Sequence, residues 1–280
     1  MPSSSGFARG IFNFLGQTFR FWMRTEVHVY AFSVAANVLL SFFPFLIVTL
    51  SLSRIFFDQY TTLGAIDLAL RDYFPSELGQ FLKNNLPARQ TPQVISILLL
   101  LFTSNGIFEP LEVALNHVWG IHRNRSFLRN QLVSLTLIFA CGGLELFSLW
   151  LGAFGRRDGR MTAVVAALFF KLASVPITVL ILFLVYRFLP NGKPPISRIV
   201  PAAVGVGLLF EVLKWINSIF WPRLETKITR EYGVFSHSVT LIFLGFLSSM
   251  LFLAGAEWAA RGHRMDREAN VPLAETKGGS

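Results

Sequence analysis

Six long apolar stretches run through this chain, at residues 31–52, 93–109, 132–154, 163–189, 198–220 and 238–260. A bilayer core about 30 Å thick is crossed by about 20 apolar residues in a helix, so most of the stretches are long enough to span. The second is short for a span unless its helix continues past Pro110. Composition agrees. Of the 280 residues, 53% are hydrophobic and only 15% are charged, with a mean hydropathy of +0.53. A soluble domain carries about 25% charged residues. The expected fold is therefore all-α: a polytopic membrane protein with six transmembrane helices plus interfacial amphipathic helices. No soluble stretch is long enough for a separate catalytic domain.

The formal net charge is +9. In a soluble protein that would favour nucleic-acid binding. Here basic residues flank the spans, where they face anionic headgroups. Membrane lipids are the expected partners, and nucleic acid is not. With the N-terminus inside, the inner segments hold more Lys and Arg than the outer ones, and the outer ones hold more acids. This asymmetry favours both termini in the cytoplasm. The single cysteine, Cys141, excludes an intrachain disulfide and a CxxC metal site. The N-terminus lacks the compact apolar core of a cleaved signal peptide.

The chain divides into three parts. Residues 1–28 read as a polar tail followed by an interfacial helix, with Phe7, Ile11, Phe14, Phe19 and Trp22 near one face. Residues 29–261 form the six-span membrane domain, and residues 262–280 read as a disordered cytoplasmic tail. Within the domain, 53–92 is an extracytoplasmic connection with short helices around 61–74 and 76–86. NGKPP at 191–195 is a helix stop.

Polar residues inside the spans are the candidate functional positions, because an ionisable group at membrane depth is costly and faces the bundle interior. In the first span Ser33, Asn37 and Ser41 are four apart, as either a packing seam or a pathway lining. Asn105, Glu109, Glu112 and Asn116 form one stripe on the second. It either begins where the helix leaves the lipid or faces a cavity. Glu145, Lys171, Glu211 and Lys214 fall at comparable depth in the next three spans and sum to zero charge. They either fix helix register as ion pairs or surround a charged substrate near the midplane.

Several chemistries are missing. The five histidines are scattered without metal-ligand spacing. No GxxxxGK[ST] phosphate loop and no GxSxG elbow occurs. Glu109 and Glu112 have nothing nearby to complete a hydrolytic site. No enzyme activity, metal or cofactor is expected.

The ordered motifs resemble the YihY/virulence factor BrkB family. AFSVAANVLLSFFPFLIVTL at 31–50 is similar to its first-span signature, where small residues lead into a Ser–x–x–Pro. NGIFEPLEVALNHVWGIHRNRSFLR at 105–129 is similar to its second motif, with Asn116, Trp119, Arg123, Arg125 and Arg129. YRFLPNGK at 186–193, FEVLKW at 210–215, Tyr232–Gly233 and Gly255–Ala256–Glu257 follow in order. The resemblance covers roughly residues 25–260 and implies a six-span bacterial inner-membrane protein. Some members carry an old ribonuclease BN label. The expected function is transport or flipping of a lipid or other charged, amphiphilic solute through a polar bundle interior. The alternative is a scaffold for envelope assembly, with an envelope protein partner.

Overall fold

The computed structural model describes residues 16–56, 94–122, 125–157 and 163–269. These residues form six long helices: α1 Thr25–Phe56, α2 Val94–Trp119, α3 Phe127–Arg157, α4 Ala163–Phe188, α5 Ile196–Tyr232 and α6 Ser236–Ala269. Among the described residues there is no strand. The connection at 57–93, with its expected short helices, lies outside the described residues, as do 1–15 and 270–280.

Helix lengths differ from the apolar runs in informative ways. α2 continues through Pro110 to Trp119. Pro110 lacks the N–H that would bond the carbonyl four residues back, yet the 26-residue helix holds on both sides. At about 1.5 Å per residue, that helix is about 39 Å long. α6 also outruns its apolar run. Residues 262–269, read from the sequence as part of a disordered tail, are helical. Arg264 explains the extension, donating to Glu257 Oε1 at 3.0 Å and to the Val118 carbonyl at 3.3 Å. Residues 16–22 form a helical segment that ends before Thr25. It packs on the bundle: Phe21 is buried and the Trp22 indole N–H donates to the Met250 carbonyl at 3.1 Å.

Each helix packs on the next, and α6 returns to α1, which closes the ring. Both faces of the helices are apolar. Ala202, Ala203 and Val206 of α5 are buried, while Leu208, Val212, Trp215 and Ile219 are exposed on its outer face. A helix that is apolar all round is built for lipid on one side and protein on the other. Among the described residues three helices are long and apolar enough to cross a membrane, at Thr25–Phe42, Ile196–Asn217 and Ser236–Met265. Leu128–Leu144 and Val175–Phe188 are shorter apolar helices.

Lipid tails are as apolar as leucine, so helix association in a membrane rests on close packing and polar contacts. Both occur where α4, α5 and α6 meet. The buried Tyr186 hydroxyl donates to the Phe252 carbonyl at 2.6 Å, and the two rings stack at 4.4 Å. Gly255 sits against this contact. A Cβ there would overlap Val206 Cγ2 and come within 2.7 Å of Tyr186 Oη. Neither neighbour yields easily, since valine is stiff at χ1 and Tyr186 is fully buried. Gly255→Ala is therefore expected to cost about 1–3 kcal/mol. A lowered thermal midpoint of the purified chain in detergent checks this.

Candidate functional site

A half-open cavity of about 420 Å³ lies among α1, α2, α4, α5 and α6. Its walls are mainly apolar: Val34 and Val38 of α1, Ile107 and Leu111 of α2, and Leu182 of α4. Phe210 and Leu213 of α5 and Leu241, Leu244 and Phe252 of α6 complete them. A few polar groups converge on this lining: Thr178, Lys214, Asn217, Ser248 and Ser249. Largely apolar walls with a few placed polar groups are the usual make-up of a small-molecule site.

Lys214 is the charged member of the lining. Its Nζ lies 2.7 Å from Glu211 Oε1, three residues earlier on α5. Both side chains are mostly buried, at 15% and 17% exposure. Of the four deep charges expected from the sequence, the structure thus joins Glu211 and Lys214. Glu145 lies on α3 and Lys171 on α4. Their side chains, like that of Asn105 on α2, lie outside the described residues. Counting rise along each helix from the end where these helices meet puts all four backbone positions about 22–27 Å away. α3, α4 and α5 are successive neighbours in the ring.

The stripe on α1 turns back on its own helix. The Asn37 amide donates to the Ser33 carbonyl at 2.9 Å, and the Ser41 hydroxyl donates to the Asn37 carbonyl. Such contacts satisfy polar side chains without a partner helix. The stripe on α2 divides. Glu109 is exposed, whereas Glu112 and Asn116 are buried at 5% and 6% exposure.

Glu112 and Asn116 belong to a polar clasp that joins two loops. Arg125, in the α2–α3 loop, caps the end of α4. It donates to the carbonyls of Phe188, Leu189 and Pro190 at 3.1, 3.1 and 2.8 Å. Those carbonyls are ones a helix end leaves without intrahelical partners, and a cation there also meets the negative end of the helix dipole. Asn116 Oδ1 accepts the Asn191 backbone N–H at 2.8 Å. Asn191 and Asn116 also hydrogen-bond the Glu112 carboxylate, and Arg125 faces it. Burial pushes the Arg125 guanidinium below its ordinary value, the Glu112 charge opposes that shift, and neighbouring Arg129 adds to it. Gly192 allows the two loops to close up, since a Cβ there would lie 2.7 Å from Ile121 Cδ1.

The same end of the ring gathers other ionic contacts. Glu257 of α6, buried at 9% exposure, pairs with Arg264 and lies 3.7 Å from Arg261. Arg261 in turn donates to Gln17 of the N-terminal helical segment. Among the described residues no group of three or more His, Cys, Asp and Glu side chains is placed to hold a metal ion.

The model of the virulence factor BrkB family matches residues 18–278. The chain belongs to this family. The chain is 26% identical over 273 residues to the ribonuclease-like protein YfkH of Bacillus subtilis (strain 168), covering 90% of itself and 96% of that protein. It is 24% identical over 234 residues to a UPF0761 membrane protein of Chromobacterium violaceum, covering 80% of itself and 55% of that protein. A UPF0761 membrane protein of Chlorobium luteolum is 24% identical over 285 residues, which cover 91% of this chain and 64% of the relative. The chain therefore spans little more than half to two-thirds of these two longer relatives. No solved structure matches. With its apolar helices, this member of the family is an integral membrane protein with several membrane-inserted helices.

Two of the segments that carried the resemblance to the BrkB family meet at the clasp, and a third lies at the same end of the ring. The 105–129 segment supplies Glu112, Asn116 and Arg125, the 186–193 segment supplies the carbonyls and Asn191, and Glu257 holds the arginine that reaches Val118. Sequence reasoning placed Glu112 and Asn116 on a helix stripe but missed their partners. Arg125 is 64 residues from Leu189 and Asn116 is 75 from Asn191, distances that local periodicity does not bridge. Thr178, Asn217, Ser248 and Ser249 were missed because a lone small polar residue in an apolar run gives no signal.

Proposed function

We propose that this BrkB-family protein moves a lipid, or another charged amphiphile, between the two faces of a membrane by way of the cavity inside its helix ring. The cavity is the observation that carries this reading. Apolar walls suit an acyl chain, and Lys214, Asn217 and the nearby hydroxyls offer polar partners where a headgroup would otherwise meet hydrocarbon. Leaving such a group without partners in an apolar medium costs several kcal/mol, roughly 2–7 for a neutral polar group. Glu211 neutralises Lys214 while the cavity is empty of an anion. The reading includes six membrane spans in the inner membrane of a bacterium. The Arg125 end, with the start of α1 and the end of α6, is assigned to the cytoplasm by its arginines. It includes no catalytic step and no cofactor, so the ribonuclease-like name of the Bacillus relative is not carried over.

Photocrosslinking tests occupancy. Membranes containing the chain are grown with a photoactivatable acyl phospholipid and irradiated. The expected peptides come from the cavity faces, including those holding Phe210 and Leu241. Crosslinks confined to outward residues such as Trp215 and Ile219 would contradict lipid entry.

A further inference from the structure

A second cavity, of about 430 Å³, lies at the Arg125 end and shares no lining residue with the central one. Its walls bring together Arg125 and Arg129 from the start of α3 and the loop before it, Arg187 from the end of α4, and Lys193 from the next loop. Four cations from three chain segments therefore face one space. Like charges gathered around a cavity repel one another, so the arrangement is stable only where something offsets it. The partial negative charge at the end of α4 offsets part of it, through Arg125 on three carbonyls. Arg187 donates to the Pro194 carbonyl at 2.7 Å, which fixes it at the rim. Arg129 and Lys193 are exposed, and among the described residues Arg129, Arg187 and Lys193 form no ion pair. The Glu112 carboxylate that faces Arg125 offsets part of the rest, and the cavity keeps an excess of positive charge.

The surroundings identify what carries that anion. Phe188, 54% exposed, forms part of the cavity wall. Leu128 and Leu132 are 74% and 64% exposed, one helical turn apart on α3, and Phe139 continues the same outward strip. A basic hollow with the exposed Phe188 in its wall, beside a helix that carries exposed leucines, fits an amphiphile: phosphate in the hollow, chain against the apolar surface next to it. A nucleic acid would place bases, not hydrocarbon, against those leucines. Arginine forks match phosphate oxygens in pairs, and lysine adds a point charge.

We propose that the cavity formed by Arg125, Arg129, Arg187 and Lys193 binds the phosphate headgroup of an anionic lipid, with its acyl chain laid along the exposed apolar strip of α3. The site stands whether or not the central cavity transports. It gives the Arg125 end a fixed lipid ligand that joins the α2–α3 loop to the end of α4. Phosphate esters with two negative charges bind better than those with one, because four cations converge.

The test uses the full chain in phosphatidylcholine nanodiscs, with fluorescent dioctanoyl phosphatidic acid as the probe. Unlabelled phosphatidic acid is expected to displace it, phosphatidylglycerol less well, and phosphatidylcholine not at all. The double variant Arg129→Gln/Lys193→Gln is expected to bind at least about tenfold more weakly, since two of four charge-assisted contacts are gone. Arg129→Lys/Lys193→Arg, which keeps both charges, retains most of the affinity. If the glutamine double variant unfolds, Lys193→Gln alone, on an exposed loop position, carries the test with a several-fold loss expected. Equal binding of phosphatidic acid and phosphatidylcholine, or unchanged binding by the glutamine variants, overturns the proposal. Inorganic phosphate displacing the probe as well as the lipid does would assign the site to a soluble anion, and a short RNA displacing it better would assign it to nucleic acid. Either result overturns the lipid.

Discussion

The double variant Glu211→Gln/Lys214→Met is expected to fold and insert like the parent chain, yet to move labelled phospholipid between leaflets at least about tenfold more slowly. Tenfold corresponds to about 1.4 kcal/mol of barrier. The pair sits at 2.7 Å, mostly buried, with the lysine on the cavity wall. Removing one partner of a buried ion pair leaves an uncompensated charge, at a cost of about 3–5 kcal/mol, so single variants confound stability with function. Neutralising both at similar volume is often neutral or stabilising. The double variant therefore separates the two roles. If the pair only fixes helix register, transfer is unchanged. If Lys214 meets a headgroup, transfer falls while the thermal midpoint holds. Full transfer in a stable double variant would take the pair out of the pathway, whereas no transfer by the parent chain, together with a co-purifying envelope protein, would favour the scaffold reading.

Arg125→Ala is expected to be the most damaging substitution at the clasp. It strips three carbonyls at the end of α4 of their donor and removes the cation facing Glu112. Glu112 is 5% exposed, and its Oε2 has no hydrogen-bond partner. Leaving a buried acceptor without its charged donor costs about 1–3 kcal/mol, and Arg125 serves three carbonyls at once. Native proteins hold only about 5–15 kcal/mol in total. Poor accumulation in the membrane and a sharply lower unfolding midpoint should result. Adding Glu112→Gln should restore part of the loss, because the orphaned charge goes with it. A double variant no better than Arg125→Ala would show that the carbonyl contacts, not the charge pair, hold the clasp.

The helices were legible because apolar runs of span length leave few alternatives, and the NGKPP stop falls between α4 and α5. The ends were less so. α6 continues to Ala269 because Arg264 finds Glu257 about two turns back on its own helix and Val118 on another helix, and the second partner has no trace in local composition. The N-terminal segment reads as interfacial from its aromatic face; its contacts with the bundle, through buried Phe21 and the Trp22 bond to Met250, have no trace in that pattern. At the candidate site, three-residue spacing on α5 placed Glu211 and Lys214 on one face, and the structure pairs them. The α1 stripe shows the opposite. Four-residue spacing suggested a polar face, but Asn37 and Ser41 bond their own helix backbone, which spacing alone does not distinguish. Loop-to-loop contacts such as Asn116 with Asn191 were invisible, since they depend on which helix ends come together.

The central claim is lipid movement through the ring. Purified protein is reconstituted into liposomes carrying a nitrobenzoxadiazole-labelled phospholipid, and dithionite is added outside. In protein-free vesicles about half of the fluorescence is quenched, because only the outer leaflet is reachable. Quenching well beyond half is expected in vesicles that hold the chain, with the extent rising with protein per vesicle. Quenching that stops at the protein-free level, in vesicles shown to contain folded protein, would contradict that claim.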